Sequence, residues 1–95
     1  MYAKGFRVAS PYFTAVCLEI TGAEGPRIGF TVPRAAGEAV VRNRLKRRLR
    51  EAVRRQLHQL PAQWEVAIQP RRAALKADFQ DLEREMERLF KRCAG

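Results

Sequence analysis

Histidine occurs once in this chain, at position 58, and serine once, at position 10. One imidazole and one serine hydroxyl leave little from which to build a nucleophile–base pair, and nothing near either residue marks one. His58 reads as an ordinary helix-surface residue among polar neighbours. The two cysteines, Cys17 and Cys93, are too few to frame a disulfide-built scaffold. Together with His58 they are neither numerous enough nor suitably spaced for the usual structural zinc patterns. A chain so poor in cysteine has the cytosol as its default compartment, so a cytoplasmic location is expected. Apolar runs are short, and none approaches a membrane span. No hydrophobic stretch follows Met1-Tyr2-Ala3-Lys4-Gly5-Phe6-Arg7, which speaks against a signal peptide. Acidic residues are scarce as well. Of the ten Asp and Glu, five lie between Asp78 and Glu87, interleaved with bases, and none forms a marked pair for acid–base chemistry. The chain's own side chains are therefore poor candidates for an acid, base or nucleophile, and no catalytic or metal-ligating residue is assigned.

Basic residues, by contrast, are abundant. The 95 residues carry 19 Lys and Arg, for a formal charge of +9. A surplus of that size points to polyanionic partners, nucleic acid or an anionic membrane face. Hydrophobic residues make up 46% of the chain, enough for a core and too many for a disordered basic tail. Residues 1–95 read as one small domain, without repeats, low-complexity segments or linkers.

Pro11 to Ile20 reads as a strand, with Phe13, Ala15 and Cys17 alternating against Thr14, Val16 and Leu18. Two glycines and a proline make Thr21–Pro26 a turn. Arg27 to Val32 is a second strand with Ile28, Phe30 and Val32 on one face, ended by Pro33. The short link predicts an antiparallel hairpin between these two. From Glu38 to Leu60 the period changes: Val41, Leu45, Leu49, Ala52, Val53, Leu57 and Leu60 form one helical stripe, opened at Gly37 and shut by Pro61. Trp64, Val66 and Ile68 alternate in a third strand that stops at Pro70. A last helix begins at Asp78, a residue able to cap it, with Phe79, Leu82, Met86, Leu89 and Phe90 facing inward. This strand, strand, helix, strand, helix order predicts a small α/β layer on a sheet of three or more strands.

The charge is concentrated. Residues 1–60 hold 12 basic and 4 acidic side chains, whereas residues 61–95 are nearly balanced at 7 and 6. Arg42, Arg44, Lys46, Arg47, Arg48, Arg50, Arg54 and Arg55 lie within fourteen residues, with Glu51 the only acid. At 100° per residue they surround the exposed surface of the helix. Like charges at i,i+3 and i,i+4 repel by a few tenths of a kcal/mol each, a cost tolerated when an external anion neutralises them. Arginine's dominance favours planar, bidentate contacts with phosphate. A membrane-surface helix fits poorly, because the apolar stripe is needed to cover the sheet and no exposed aromatic is interleaved to enter lipid. A DNA-recognition helix would need a helical scaffold. RNA is the better partner, met by a sheet that can stack bases and a helix that can hold phosphates.

The segment Ala39-Val40-Val41-Arg42-Asn43-Arg44-Leu45-Lys46-Arg47 closely resembles the Arg-Asn-Arg signature of the protein subunit of bacterial ribonuclease P. Gly29-Phe30-Thr31-Val32 looks like that family's strand before the helix, and the spacing to Trp64–Gln69 and the last helix also fits. The resemblance covers essentially the whole chain. It implies an α/β (α+β) two-layer sandwich, a small mixed sheet in βββαβα order, ribosomal protein S5 domain 2-like, with an unusual left-handed strand–helix–strand crossover. The family's N-terminal helix would be largely missing, the chain opening at its last turn. In that family the RNA subunit cleaves the 5′ leader from precursor tRNA, while the protein binds leader and RNA and supports metal-dependent activity. The resemblance therefore implies two partners, the catalytic RNA and precursor tRNA, with no membrane. It also implies Mg2+ as cofactor, bound mainly by the RNA. Arg42, Asn43, Arg44, Lys46, Arg47, Arg48 and Arg50 would contact the catalytic RNA or its metal-bound phosphates. Tyr2, Arg7 and Phe13 would contact the leader in a cleft on the sheet, although the alternation of the strand equally suits Phe13 to the core. Pro33-Arg34-Ala35 replaces a common Ser-Lys-Lys, Glu38 stands where lysine is common, and Val16 where an aromatic can occur; all three weaken the leader site more than the basic helix. The residues alone also suit a structural RNA-binding protein of ribosome or ribonucleoprotein assembly, or a general nucleic-acid chaperone.

Overall fold

The computed structural model of the chain describes residues 2–20, 22, 24–34 and 37–94, and the side chains of residues 2–4 are outside that description. Four strands and two helices follow in the order β1 (Tyr2–Ala9), β2 (Phe13–Ile20), β3 (Arg27–Phe30), α1 (Ala39–Gln56), β4 (Trp64–Pro70) and α2 (Phe79–Ala94). This is the βββαβα order.

Alternation decides which strands become central. Phe13, Ala15 and Cys17 of β2 and Trp64, Val66 and Ile68 of β4 are all buried, and these two strands pair antiparallel in the middle of the sheet. The sheet runs β1-β2-β4-β3, with β1 antiparallel to β2 and β3 parallel to β4. The hairpin expected between Pro11–Ile20 and Arg27–Val32 is thus corrected. The link after β2 crosses over one strand position and delivers β3 to the edge, and β4 fills the gap. A short link limits how far apart two strands can lie, but it does not make them neighbours. Here the two most fully apolar strands gain more by pairing centrally, while four-residue β3, half exposed and followed by Pro33, suits an edge. The helical connection from β3 to β4 then joins adjacent parallel strands.

A second correction concerns the opening residues. They are strand from Tyr2, not the last turn of a helix. Only Phe6 and Val8 give β1 an inward pattern, too short a signal to read alone. Gly5 permits its close approach to β2: a Cβ there would sit 2.8 Å from Leu18 Cδ2 and 3.1 Å from the Cys17 carbonyl oxygen. The turn to β2 uses the lone serine, Ser10, which is buried; its Oγ accepts from the Tyr12 amide at 3.1 Å and its own amide donates to the Phe13 carbonyl at 2.9 Å.

Both helices cover one face of the sheet. Leu45, Leu49, Ala52 and Val53 of α1 and Leu82, Met86, Leu89, Phe90 and Cys93 of α2 are buried in one cluster with the inward residues of β2 and β4. Gly37, at φ +138°, turns the chain into α1, whose N-cap Glu38 makes no side-chain cap bond. The helix stops at Gln56, earlier than the stripe suggests, and the 3-10 turn Leu57–Gln59 carries the chain to buried Leu60. Asp78 precedes α2, and its carbonyl accepts from the Leu82 amide at 3.2 Å. The opposite face of the sheet is open, and no described helix is long and apolar enough to cross a membrane.

Phe13 is fully buried, so its ring belongs to the core and is not available to stack on a base. Phe13→Ala is expected to cost about 3–5 kcal/mol of unfolding free energy, measured by urea denaturation. A change below 1 kcal/mol would return the residue to the surface.

Candidate RNA interface

The rotation of α1 is set by its buried stripe, and that stripe sorts the eight basic side chains. Asn43, Arg44, Arg47 and Arg50 are exposed, and Lys46 and Arg42 are half-buried. Among the described residues Arg44, Lys46, Arg47 and Arg50 have no ion-pair partner, since the six ion pairs found involve other residues. Arg50 places its guanidinium 5.9 Å from the centre of the Phe30 ring at the sheet edge. The Arg42 Nε is enclosed without a hydrogen-bond partner among the described residues.

Three bases are occupied within the molecule. Glu51 accepts from Arg54 at 2.5 Å and approaches Arg55 at 3.6 Å. The hydrogen bonds from Arg54 hold the Glu51 carboxyl below its ordinary range, and Arg54 is raised in turn. Arg55 also reaches Glu83 of α2 at 3.3 Å and lies over the Phe79 ring at 5.0 Å, pinning the two helices together. The third, Arg48, departs from its expected role. Its Nε donates to the Ala74 carbonyl at 3.0 Å and its Nη2 to the Ala77 carbonyl, clamping the 3-10 turn Arg72–Leu75 onto α1. A side chain spent on two backbone acceptors is a structural brace, so Arg48 is removed from the RNA-contact set. Sequence spacing put it on the flank of the helix; only the folded chain brings those carbonyls within reach.

The proposed leader residues separate. Arg7 is exposed on the open sheet face, beside a groove of about 460 Å³ lined also by Ala9, Thr14, Val16, Thr31 and Gln69. Tyr2 belongs to β1 by its backbone, paired with Ile20, and its side chain lies outside the described residues. Phe13 is in the core. Thr14, Thr31 and Gln69 were not singled out from sequence. Their outward parity was readable, but not the strand order that gathers them in one groove. The sheet stands between this groove and the basic face of α1, so the two surfaces are not one cluster. His58 is exposed on its 3-10 turn, and no group of three or more His, Cys, Asp or Glu among the described residues could hold a metal ion.

An α+β layer bearing an arginine face without internal ion pairs and an open sheet groove is suited to a polyanion-binding protein. Comparison with known proteins names the family. The family model for ribonuclease P matches residues 1–94. The ribonuclease P protein component of Symbiobacterium thermophilum is 39% identical over 92 residues, covering 97% of this chain and 80% of the relative. That of Acidothermus cellulolyticus is 40% identical over 90 residues, covering 94% and 75%. Among solved structures, the RNase P protein from Thermotoga maritima superposes with a TM-score of 0.79 at 28% identity, covering 94% of this chain and 84% of that one. The chain belongs to the ribonuclease P protein family.

The two classes of arginine on α1 are separable in stability. Arg48→Ala is expected to lower unfolding free energy by about 1–3 kcal/mol, because two carbonyls lose a charged donor, whereas Arg47→Ala should stay within about 0.5 kcal/mol of the parent. Thermal and urea denaturation of both variants distinguish them; equal effects would remove the brace assignment.

Proposed function

We propose that this chain is the protein subunit of a ribonuclease P holoenzyme, which removes the 5′ leader from precursor tRNA, and that it binds two RNA surfaces at once. The exposed face of α1, with Asn43, Arg44, Lys46, Arg47 and Arg50 and the half-buried Arg42, meets phosphates of the catalytic RNA. The open sheet groove with Arg7 at its side takes single-stranded leader, and its threonines and Gln69 supply neutral hydrogen bonds. The observation that carries this reading is the set of exposed cations on α1 that find no internal anion. Repulsion among Arg44, Arg47 and Arg50 at i,i+3 is relieved only by an external one. Cleavage chemistry belongs to the RNA in this reading.

Magnesium enters only through that RNA. The protein's α1 face is cationic, and its single carboxylate, Glu51, is engaged by Arg54 and Arg55. These residues do not fit a divalent cation, and no step is assigned to a protein-bound metal. A cytoplasmic location follows from the partnership with tRNA precursors.

Reconstitution tests the reading. The protein is added to a bacterial ribonuclease P RNA and a precursor tRNA at low magnesium, and 5′ leader release is timed. Stimulation is expected; tight RNA binding without stimulation would place the protein in another ribonucleoprotein. The double variant Arg44→Ala, Arg47→Ala should bind the catalytic RNA on the order of 100-fold more weakly, two charge-assisted contacts being lost. Its log affinity should also fall less steeply with log salt, by roughly 0.7–0.9 per phosphate contact removed. Undiminished stimulation by this variant at ordinary salt would overturn the assignment of α1.

A further inference from the structure

Arg50 differs from the other exposed cations of α1. Among the described residues Arg44, Lys46 and Arg47 form neither an ion pair nor a cation–π contact, whereas Arg50 lies over the Phe30 ring at 5.9 Å. The sheet edge puts the ring there. Strand alternation turns Ile28 and Phe30 of β3 inward, where both pack against the core cluster. Phe30 pairs with Ile68 of β4, and the Thr31 amide donates to the Ile68 carbonyl at 2.9 Å, fixing the end of the strand. Because β3 is the outermost strand on this side, the ring is only half covered. Arg50 follows the buried Leu49 on α1 and reaches across the remaining opening.

Two other half-buried phenylalanines lie under guanidinium groups, Phe79 under Arg55 at 5.0 Å and Phe6 under Arg92 at 4.8 Å. Arg55 is also met by Glu51 and Glu83, so its charge is answered within the protein. Arg50 has the ring and no carboxylate. The two kinds of partner have different consequences. A carboxylate neutralises the cation and accepts its in-plane N–H groups, as Glu51 does for Arg54 at 3.1 and 2.5 Å. An aromatic face attracts the cation without cancelling its charge. Arg50 donates no side-chain hydrogen bond among the described residues, so its donors stay free for a bidentate phosphate.

An unrestrained arginine samples many rotamers, and binding must select one of them. Apparent affinity is reduced by the fraction of time that the competent rotamer is populated. A ring beneath the guanidinium raises that fraction before the RNA arrives. Building on the reading of α1 as the face that meets the catalytic RNA, we infer that Phe30 is a positioning residue, whose ring holds Arg50 ready for phosphate without neutralising it. Phe30 acts through Arg50 and adds no phosphate contact of its own.

A double-mutant cycle on the full chain tests this, with binding to a bacterial ribonuclease P RNA measured over a range of salt concentrations. Phe30→Leu keeps an apolar side chain against the core and removes the ring; Phe30→Tyr keeps the ring. Phe30→Leu is expected to weaken binding about two- to fivefold, the equivalent of an exposed cation–π contact. Phe30→Tyr should bind as the parent does. In an Arg50→Ala background Phe30→Leu should have no further effect. The salt slope separates the two residues: Arg50→Ala should lower it by roughly 0.7–0.9, one phosphate contact being lost, while Phe30→Leu should leave it unchanged. Equal losses from Phe30→Leu in both backgrounds would make the ring a structural element only and overturn the proposal. Parent-like binding by Phe30→Leu, with Arg50→Ala still weakened, would overturn it and leave the reading of α1 intact. An Arg50→Ala variant with parent affinity and slope would overturn both at that residue.

Discussion

Leu45, Leu49, Ala52 and Val53 are buried between α1 and the inward faces of β2 and β4, and that burial sets the rotation of the helix. Each buried Leu or Val contributes about 1.5–3 kcal/mol relative to exposure, far more than the repulsion among the arginines opposes. The apolar stripe therefore wins, and the cations go wherever the remaining surface allows. Turning the helix by one residue would bury Lys46 or Arg50 and expose Leu45 or Leu49. The placement of the basic face is thus a consequence of core packing, and the surface proposed to meet phosphate is one that the hydrophobic effect has already oriented.

The same packing distinguishes arginines that look equivalent in the chain. Arg48 and Arg55 point to the flanks where α1 meets its neighbours, and there they find the Ala74 and Ala77 carbonyls or Glu83. Arg54 is taken by Glu51 one turn earlier. Arg44, Arg47 and Arg50 form no ion pair among the described residues. Internal acceptors thus draw bases out of the binding face and leave a smaller, defined set of donors. The remaining repulsion is confined to a few exposed residues in high-dielectric surroundings, where it costs least.

The sheet serves two faces. Its inward side carries Phe13, Cys17, Trp64 and Ile68 into the core, and its outward side stays open and lightly polar. Period-two alternation makes this possible: a strand that must bury every second residue has the others free for a ligand. Phe13 illustrates the limit of a motif read without a structure, since an aromatic at a cleft-like position was core by parity.

Several features were legible in the chain alone. The α1 stripe, the inward residues of three strands, the α2 stripe and the absence of a catalytic grouping follow from local spacing, because helix and strand periods are properties of the backbone itself. The Arg-Asn-Arg segment identified the family for the same reason, being contiguous. Strand β1 escaped because two apolar residues and a glycine give no period to count. The sheet order escaped because pairing is settled by which strands bury most surface together, a competition among segments far apart in sequence. The brace made by Arg48 and the core position of Phe13 depend on contacts across that same distance. What the amino-acid sequence determined by itself was the elements, their buried faces and the sign of the charge. Which cations remain free and which residues share a surface was decided by tertiary packing, where apolar burial fixes each element's rotation before any polar partner is chosen.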